Sequence, residues 1–158
     1  MSTALQPHTM IIDLHVHTSR GSSDSSLTPL QLVEQARLIG LQGACLTEHS
    51  GPWDRFEFQR FADQHQGLLL VPAMEVESDM GHITVFGLDG YVSGIRDPRD
   101  LRRLADSVGA YMVIAHPFRY LFDKPYNQNL LFKNPSDLPS TAQEALEHPV
   151  FQLIDAIE

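Results

Sequence analysis

The sequence predicts an α/β fold with a largely parallel sheet, open or barrel-like. Two observations predict it. Apolar runs of strand length alternate with helix-period segments in the order β-α-β-α-β-β-α-β-α-β,. Each strand as far as residue 116 also carries a metal-competent residue at or near one end. In α/β folds, ligands collect at the carboxyl ends of parallel strands, so residues scattered along the chain can share one rim. A chain of 158 residues is long enough for a single domain with a substantial core,.

The elements follow in order. Residues 10–14 read as a short buried strand, and a Ser/Gly-rich loop covers 18–27. "TPLQLVEQARLIG" reads as a helix with Thr28 as N-cap, Pro29 in the first helical position and Gln31 as capping-box partner,. Its buried face is Leu32, Val33, Ala36 and Ile39, and Gly40 or Gly43 ends it,. "GACLT" (43–47) is the second strand, and Phe58, Phe61 and Ala62 mark a helix within 53–66. Strands at 68–77 and 82–88 are joined by the short "SDMG" turn, which makes them antiparallel. A helix at 97–109 leads to a strand at 111–116. An irregular, proline-containing segment fills 117–139, a short helix lies near 140–147, and 151–158 reads as a last strand.

Composition narrows the function. The chain has 11 basic and 20 acidic residues, a net charge of −9, and its only lysines are Lys124 and Lys133. Long nucleic acid is disfavoured as a partner, because binding it requires a basic surface. Cys45 is the single cysteine, so the chain forms no internal disulfide and a buried reduced thiol is expected,. The start, "MSTALQPHT", has no signal-peptide character, and no apolar run reaches the roughly 20 residues of a membrane span,. A cytoplasmic soluble protein with a flexible tail at 1–9 and one domain from 10 to 158 is expected.

The residues that could carry chemistry begin with "DLHVHT". On a strand alternate side chains share a face, so Asp13, His15 and His17 are expected to project together,. Two imidazoles from one strand end can hold a single ion. The plain alternative is a pair of histidines bonded to backbone carbonyls. Recurrence favours the metal: Glu48 and His49 follow the second strand, Glu75 and Glu77 lie on the third, His82 begins the fourth and His116 closes the fifth. His82 reaches the shared rim only if its strand runs antiparallel. Asp24 could fold back from the serine-rich loop, or serve there as an ordinary turn aspartate. His8, His65 and His148 are read as solvated surface residues.

Together "DLHVHT", "SDSSLTP", "GLQGACLTEH", "VPAMEVE", "GHITVFG" and "IAHP" resemble the successive motifs of the polymerase and histidinol phosphatase (PHP) domain. The resemblance runs from Met10 to Glu158. It implies a distorted (β/α)7-type barrel with two or three divalent metal ions at the carboxyl ends of its strands. By matching motif, His15, His17, Asp24, His49, Glu75, His82 and His116 would be metal ligands. Glu75 and Asp13 are the carboxylates of the implied catalytic machinery, Glu75 bridging two ions and Asp13 orienting a ligand imidazole. Two departures stand out. Thr47-Glu48-His49 replaces the family's usual Thr-Asp-His. The family barrel also continues past "LIDAIE" to an Asp-x-His motif that this chain lacks. The barrel is therefore expected to be incomplete here, through a missing segment, completion by a second chain, or a reduced site.

The expected chemistry is hydrolysis of a phosphate ester by a metal-activated water, acting on a small phosphorylated metabolite, a nucleotide or an oligonucleotide end. Zinc or manganese is expected, with iron also compatible, because imidazole-rich donor sets suit these ions better than magnesium or calcium. Arg20 and Arg119 are candidate phosphate contacts, each with the alternative of a solvated loop arginine,. The competing readings are an amidohydrolase-like hydrolase and a non-catalytic metal-binding or interaction domain.

Overall fold

The computed structural model describes residues 9–122 and 129–158. The tail expected at 1–9 and Lys124 fall almost wholly outside the described residues. Six strands form one sheet in the order of the chain: β1 (Ile12–Val16), β2 (Gly43–Glu48), β3 (Leu69–Ser78), β4 (Gly81–Phe86), β5 (Tyr111–Ile114) and β6 (Ala156–Ile157). β1, β2 and β3 are mutually parallel, β4 runs antiparallel between β3 and β5, and β6 is parallel to β5. Five strands thus end at one rim, and the reversed β4 begins there. The sheet curls into a half-barrel, bringing its two edges together at that rim: His15 of β1 lies 3.2 Å from Glu158, just past β6.

Four α-helices accompany the sheet: α1 (Pro29–Ile39), α2 (Arg55–Gln64), α3 (Pro98–Val108) and α4 (Ala142–Leu146). α1 starts where its sequence dictates. The Thr28 hydroxyl accepts from the Gln31 amide, the Gln31 side chain accepts from the Thr28 amide, and Gly40 ends the helix at φ 82°,. α2 and α3 use Asp54 and Asp97 as N-caps,. Leu32, Val33 and Ala36 face the sheet as expected, but Ile39 is 68% exposed, because the turn to Gly40 carries it off the buried stripe.

The core lies between the convex face of the sheet and the helices. Leu32, Val33, Ala36, Leu46, Trp53 and Phe58 pack against β1 to β3 in one cluster. Met74, Ile83, Val85, Met112 and Ile114 form the other with Leu101 and Ala105 of α3. Each such side chain contributes about 1.5–3 kcal/mol by leaving water. Strand alternation sends Glu75 and its cross-strand partner Thr84 to the opposite, concave face,.

Two boundaries differ clearly from expectation. β1 begins at Ile12, two residues late, leaving Met10 and Ile11 exposed. Only Ala156–Ile157 of 151–158 is strand, because Pro149–Gln152 turns as a 3-10 helix. Within the irregular segment, buried Asn129 orders the chain: its amide donates to the carbonyls of Pro117 and Arg119, and its carbonyl accepts from the amides of Leu131 and Phe132. No helix among the described residues is long and apolar enough to cross a membrane.

Candidate metal centre

Glu75 is the centre of the rim. It sits in mid-strand on β3, only 2% exposed, and five imidazoles converge on its carboxylate. Oε1 lies 3.1 Å from His82 Nδ1, 3.1 Å from His116 Nε2 and 3.4 Å from His15 Nε2. Oε2 lies 3.2 Å from His17 Nε2 and 3.4 Å from His49 Nδ1. Each oxygen thus serves its own set of histidines. His15, Glu75 and His116 form one group whose donor atoms all lie within 4.8 Å of one another, and His17, His49 and Glu75 form a second.

The strands explain the convergence. His15 and His17 leave β1 two residues apart, with their Nε2 atoms 3.1 Å from each other. The reversed direction of β4 carries His82 to the rim, opposite Glu77 and one step from Glu75. His116 follows β5 at φ 34°, a left-handed conformation costing a residue with a Cβ about 1–3 kcal/mol,. Its amide is held by Glu158 Oε2 at 2.9 Å and its ring by Glu75, so the neighbours over-determine the strained turn.

The donor set fits a cation. His49 Nδ1 is buried without a hydrogen-bond partner, although Glu75 Oε2 is only 3.4 Å away. A nitrogen lone pair facing a carboxylate oxygen repels unless a positive charge lies between them. Burial pushes the Glu75 pKa up, but bonds from His116, His15, His17 and His82 outweigh it and hold the group far below the ordinary carboxylate range,. Burial also works to lower the His15 pKa, and contacts with Glu75 and Glu158 leave it raised instead.

The remaining residues named from sequence divide. Asp24 Oδ2 lies 3.4 Å from His49 Nε2, at the open side of the second group. The loop carrying it is folded back by Ser19 N–H donating to Leu27 O and Ser25 Oγ donating to His17 O. Asp13 does not act on an imidazole: its Oδ1 accepts from the backbone amide of His15 at 3.1 Å. Asp13 nonetheless borders one cavity with His15, His17 and Asp24, although the β1–β2 pairing slips in register between Asp13 and Val16,. Arg20 is committed elsewhere, paired through two nitrogens with Glu57 and stacked 5.2 Å above Trp53. Arg119 borders a cavity of about 240 Å³ shared with His82, His116, Leu130 and Leu131, where its guanidinium donates to the Tyr120 hydroxyl at 2.7 Å.

Sequence reasoning missed Glu158 and Arg96, and it named Glu48 without its partners. Glu158 bonds both His15 Nδ1 and the His116 amide. Its signal was its place at the end of a strand parallel to the others. Arg96 borders a second cavity, of about 210 Å³, with His49, Glu75 and Tyr91. Glu48 is fully buried and accepts from Thr18, Ser22 and Trp53. His65 and His148, read as solvated, are half-buried: His65 packs on Phe61, and His148 caps the 3-10 turn at Pro149 beside Phe132 and Phe151.

Known proteins share the fold. The chain is similar to a protein of Bifidobacterium adolescentis whose metal-dependent phosphoesterase activity is a prediction. The two are 16% identical with a TM-score of 0.62, over 97% of this chain and 78% of the other. It is also similar to a two-domain protein of Bacteroides vulgatus that contains a predicted PHP-like metal-dependent phosphoesterase. There the identity is 22% and the TM-score 0.59, over 94% of this chain and 43% of the other, so this chain spans less than half of that protein. At such identities the likeness speaks for the fold. No curated protein matches the sequence. A family model, the PHP domain, matches residues 13–141, which take in every histidine of the rim. The chain belongs to the PHP domain family.

Proposed function

We propose that this chain is a metal-dependent phosphoesterase that hydrolyses the phosphate ester of a small phosphorylated molecule, a nucleotide or an oligonucleotide end. The observation that carries this reading is Glu75, one buried carboxylate with three histidines on one oxygen and two on the other. A pair of divalent ions held there would supply a Lewis acid for the phosphoryl oxygens and an activated water. Zinc or manganese suits an imidazole-rich set of this kind, with iron also compatible and a third ion accommodated if Asp24 joins His49.

The chain's own residues have separate tasks in this reading. Glu75 keeps the two groups of histidines at a fixed separation. Glu158 turns the His15 ring so that Nε2 faces inward,. Arg119, fixed by Tyr120, presents guanidinium N–H groups at the mouth of the cavity beside His82 and His116, where they would bind phosphate oxygens. Arg96 could do the same on the His49 side.

The test is turnover by protein stripped of metal and reloaded with Zn²⁺ or Mn²⁺. The substrates are an aryl phosphomonoester, an aryl phosphodiester, a 5′-nucleotide, an anilide and a lactone. Phosphate esters alone should be hydrolysed, with activity lost to a chelator and restored by the metal. Hydrolysis of the anilide or lactone alone would make the protein an amidohydrolase-like enzyme. Bound metal with no turnover of any substrate would make it a binding module.

A further inference from the structure

Glu48 is a fully buried acid that belongs to neither group of histidines around Glu75. It accepts from the Thr18 amide at 3.0 Å, the Thr18 hydroxyl, the Ser22 hydroxyl at 2.7 Å and the Trp53 indole N–H at 3.3 Å. An amide and an indole N–H only donate, so Glu48 is the acceptor of this assembly. The site is built closely: a Cβ on Gly21 would fall 2.6 Å from Glu48 Cβ.

Ser22 links Glu48 to the rim. Its hydroxyl carries one proton, and that proton is directed at Glu48 Oε2. Ser22 Oγ itself accepts the backbone N–H of His49 at 3.1 Å and lies 3.2 Å from His17 Nδ1. With its proton committed to Glu48, the hydroxyl can meet His17 only as an acceptor, so the hydrogen of the ring must be on Nδ1. Nε2 then keeps its lone pair, and Nε2 is the atom that lies 3.2 Å from Glu75. One hydroxyl thereby positions two of the three members of the His17–His49–Glu75 group.

We propose that Glu48 and Ser22 are positioning residues that lock His17 in its Nδ1–H tautomer and present Nε2 to a divalent cation. The inference rests on the reading of the rim as a metal centre. It gives the longer glutamate of Thr47-Glu48-His49 a task, spanning from the end of β2 to the loop at Thr18 and Ser22.

The test uses the protein with added Zn²⁺ alone, which places a positive charge between His17 Nε2 and Glu75 Oε2. Long-range proton–nitrogen correlation spectra of His17 should show the Nδ1–H tautomer in the wild type. Ser22→Ala should shift the ring toward the Nε2–H form and weaken zinc binding by about 10- to 100-fold. Glu48→Ala removes the acceptor, frees the Ser22 hydroxyl to donate to His17 Nδ1, and should move the ring hydrogen to Nε2. Should that variant not fold, Ser22→Ala decides alone. An unchanged tautomer in Ser22→Ala, or zinc affinity within twofold of wild type, overturns the proposal and leaves Glu48 as a clamp on the loop. A wild type that binds no zinc overturns the metal centre, and this proposal with it.

Discussion

Replacing Glu75 by glutamine tests the centre with the smallest change of shape. A carboxylate offers an oxygen to both groups of histidines, whereas an amide offers one oxygen and one NH₂. If the NH₂ takes the Oε1 place it faces His15, His82 and His116 at 3.1–3.4 Å. If it takes the Oε2 place it faces His17 and His49 at 3.2 and 3.4 Å. In either orientation one group loses its oxygen and the other keeps a neutral one. At 2% exposure, solvent does not replace the missing ligand. Each group loses at least one charge-assisted contact, at about 1.5–3 kcal/mol, which is about 10- to 150-fold in affinity. The expected result is one bound ion per chain instead of two, with the remaining ion weakened by that factor. Metal content after dialysis and calorimetric titration with Zn²⁺ measure both quantities, and circular dichroism confirms the fold. Two retained ions with affinities within threefold of wild type would refute the bridging role of Glu75.

Other outcomes follow from single contacts. Gly21→Ala sets a methyl group against Glu48 and should loosen the 18–22 loop, lowering both thermal stability and zinc affinity; a variant that matches the wild type in both would show that the loop yields freely. Arg119→Ala should raise KM for a phosphate ester about tenfold or more, whereas Arg20→Ala, which frees Glu57, should leave KM within about twofold,; steady-state kinetics of the two variants separates the assignments. Asp155→Asn probes pH dependence at a distance from the centre. Burial pushes the Asp155 carboxyl up, but Arg102 and the Met112 amide, each at 2.8 Å, hold it below its usual value. A depressed folded pKa gives stability that is present above the unfolded value and lost as pH falls through the folded one. The wild type should therefore exceed Asp155→Asn by about 1 kcal/mol near neutrality, with the difference shrinking below about pH 4. Urea unfolding at several pH values checks this, and a constant difference down to low pH would contradict it.

The sequence reveals what is local and periodic. α1 begins at Pro29 because Thr28 and Gln31 are three residues apart, and β4 reverses because a four-residue turn ending in Gly81 leaves no room for a crossover,. That reversal brings His82 to the rim beside the histidines that follow β1, β2 and β5. What stayed hidden depends on distant pairings. Glu158 reaches His15 across 143 residues, and only the curl of the sheet places them together. Arg20 looks free in its loop until α2 packs nearby and offers Glu57. Asp13 borders the same cavity as His15 and His17, as alternation suggests, but that it meets the His15 backbone amide is not legible in the alternation of side chains,. Glu48 shows as one of several acids near a strand end, and its burial appears only when Thr18, Ser22 and Trp53 close around it.

The most direct measurement of the central claim is anomalous diffraction from crystals of the protein loaded with zinc. The account predicts two peaks flanking Glu75, one against His15 and His116 and the other against His17 and His49. A zinc-loaded crystal with no anomalous density beside Glu75, or with a single ion bound away from these histidines, would contradict it.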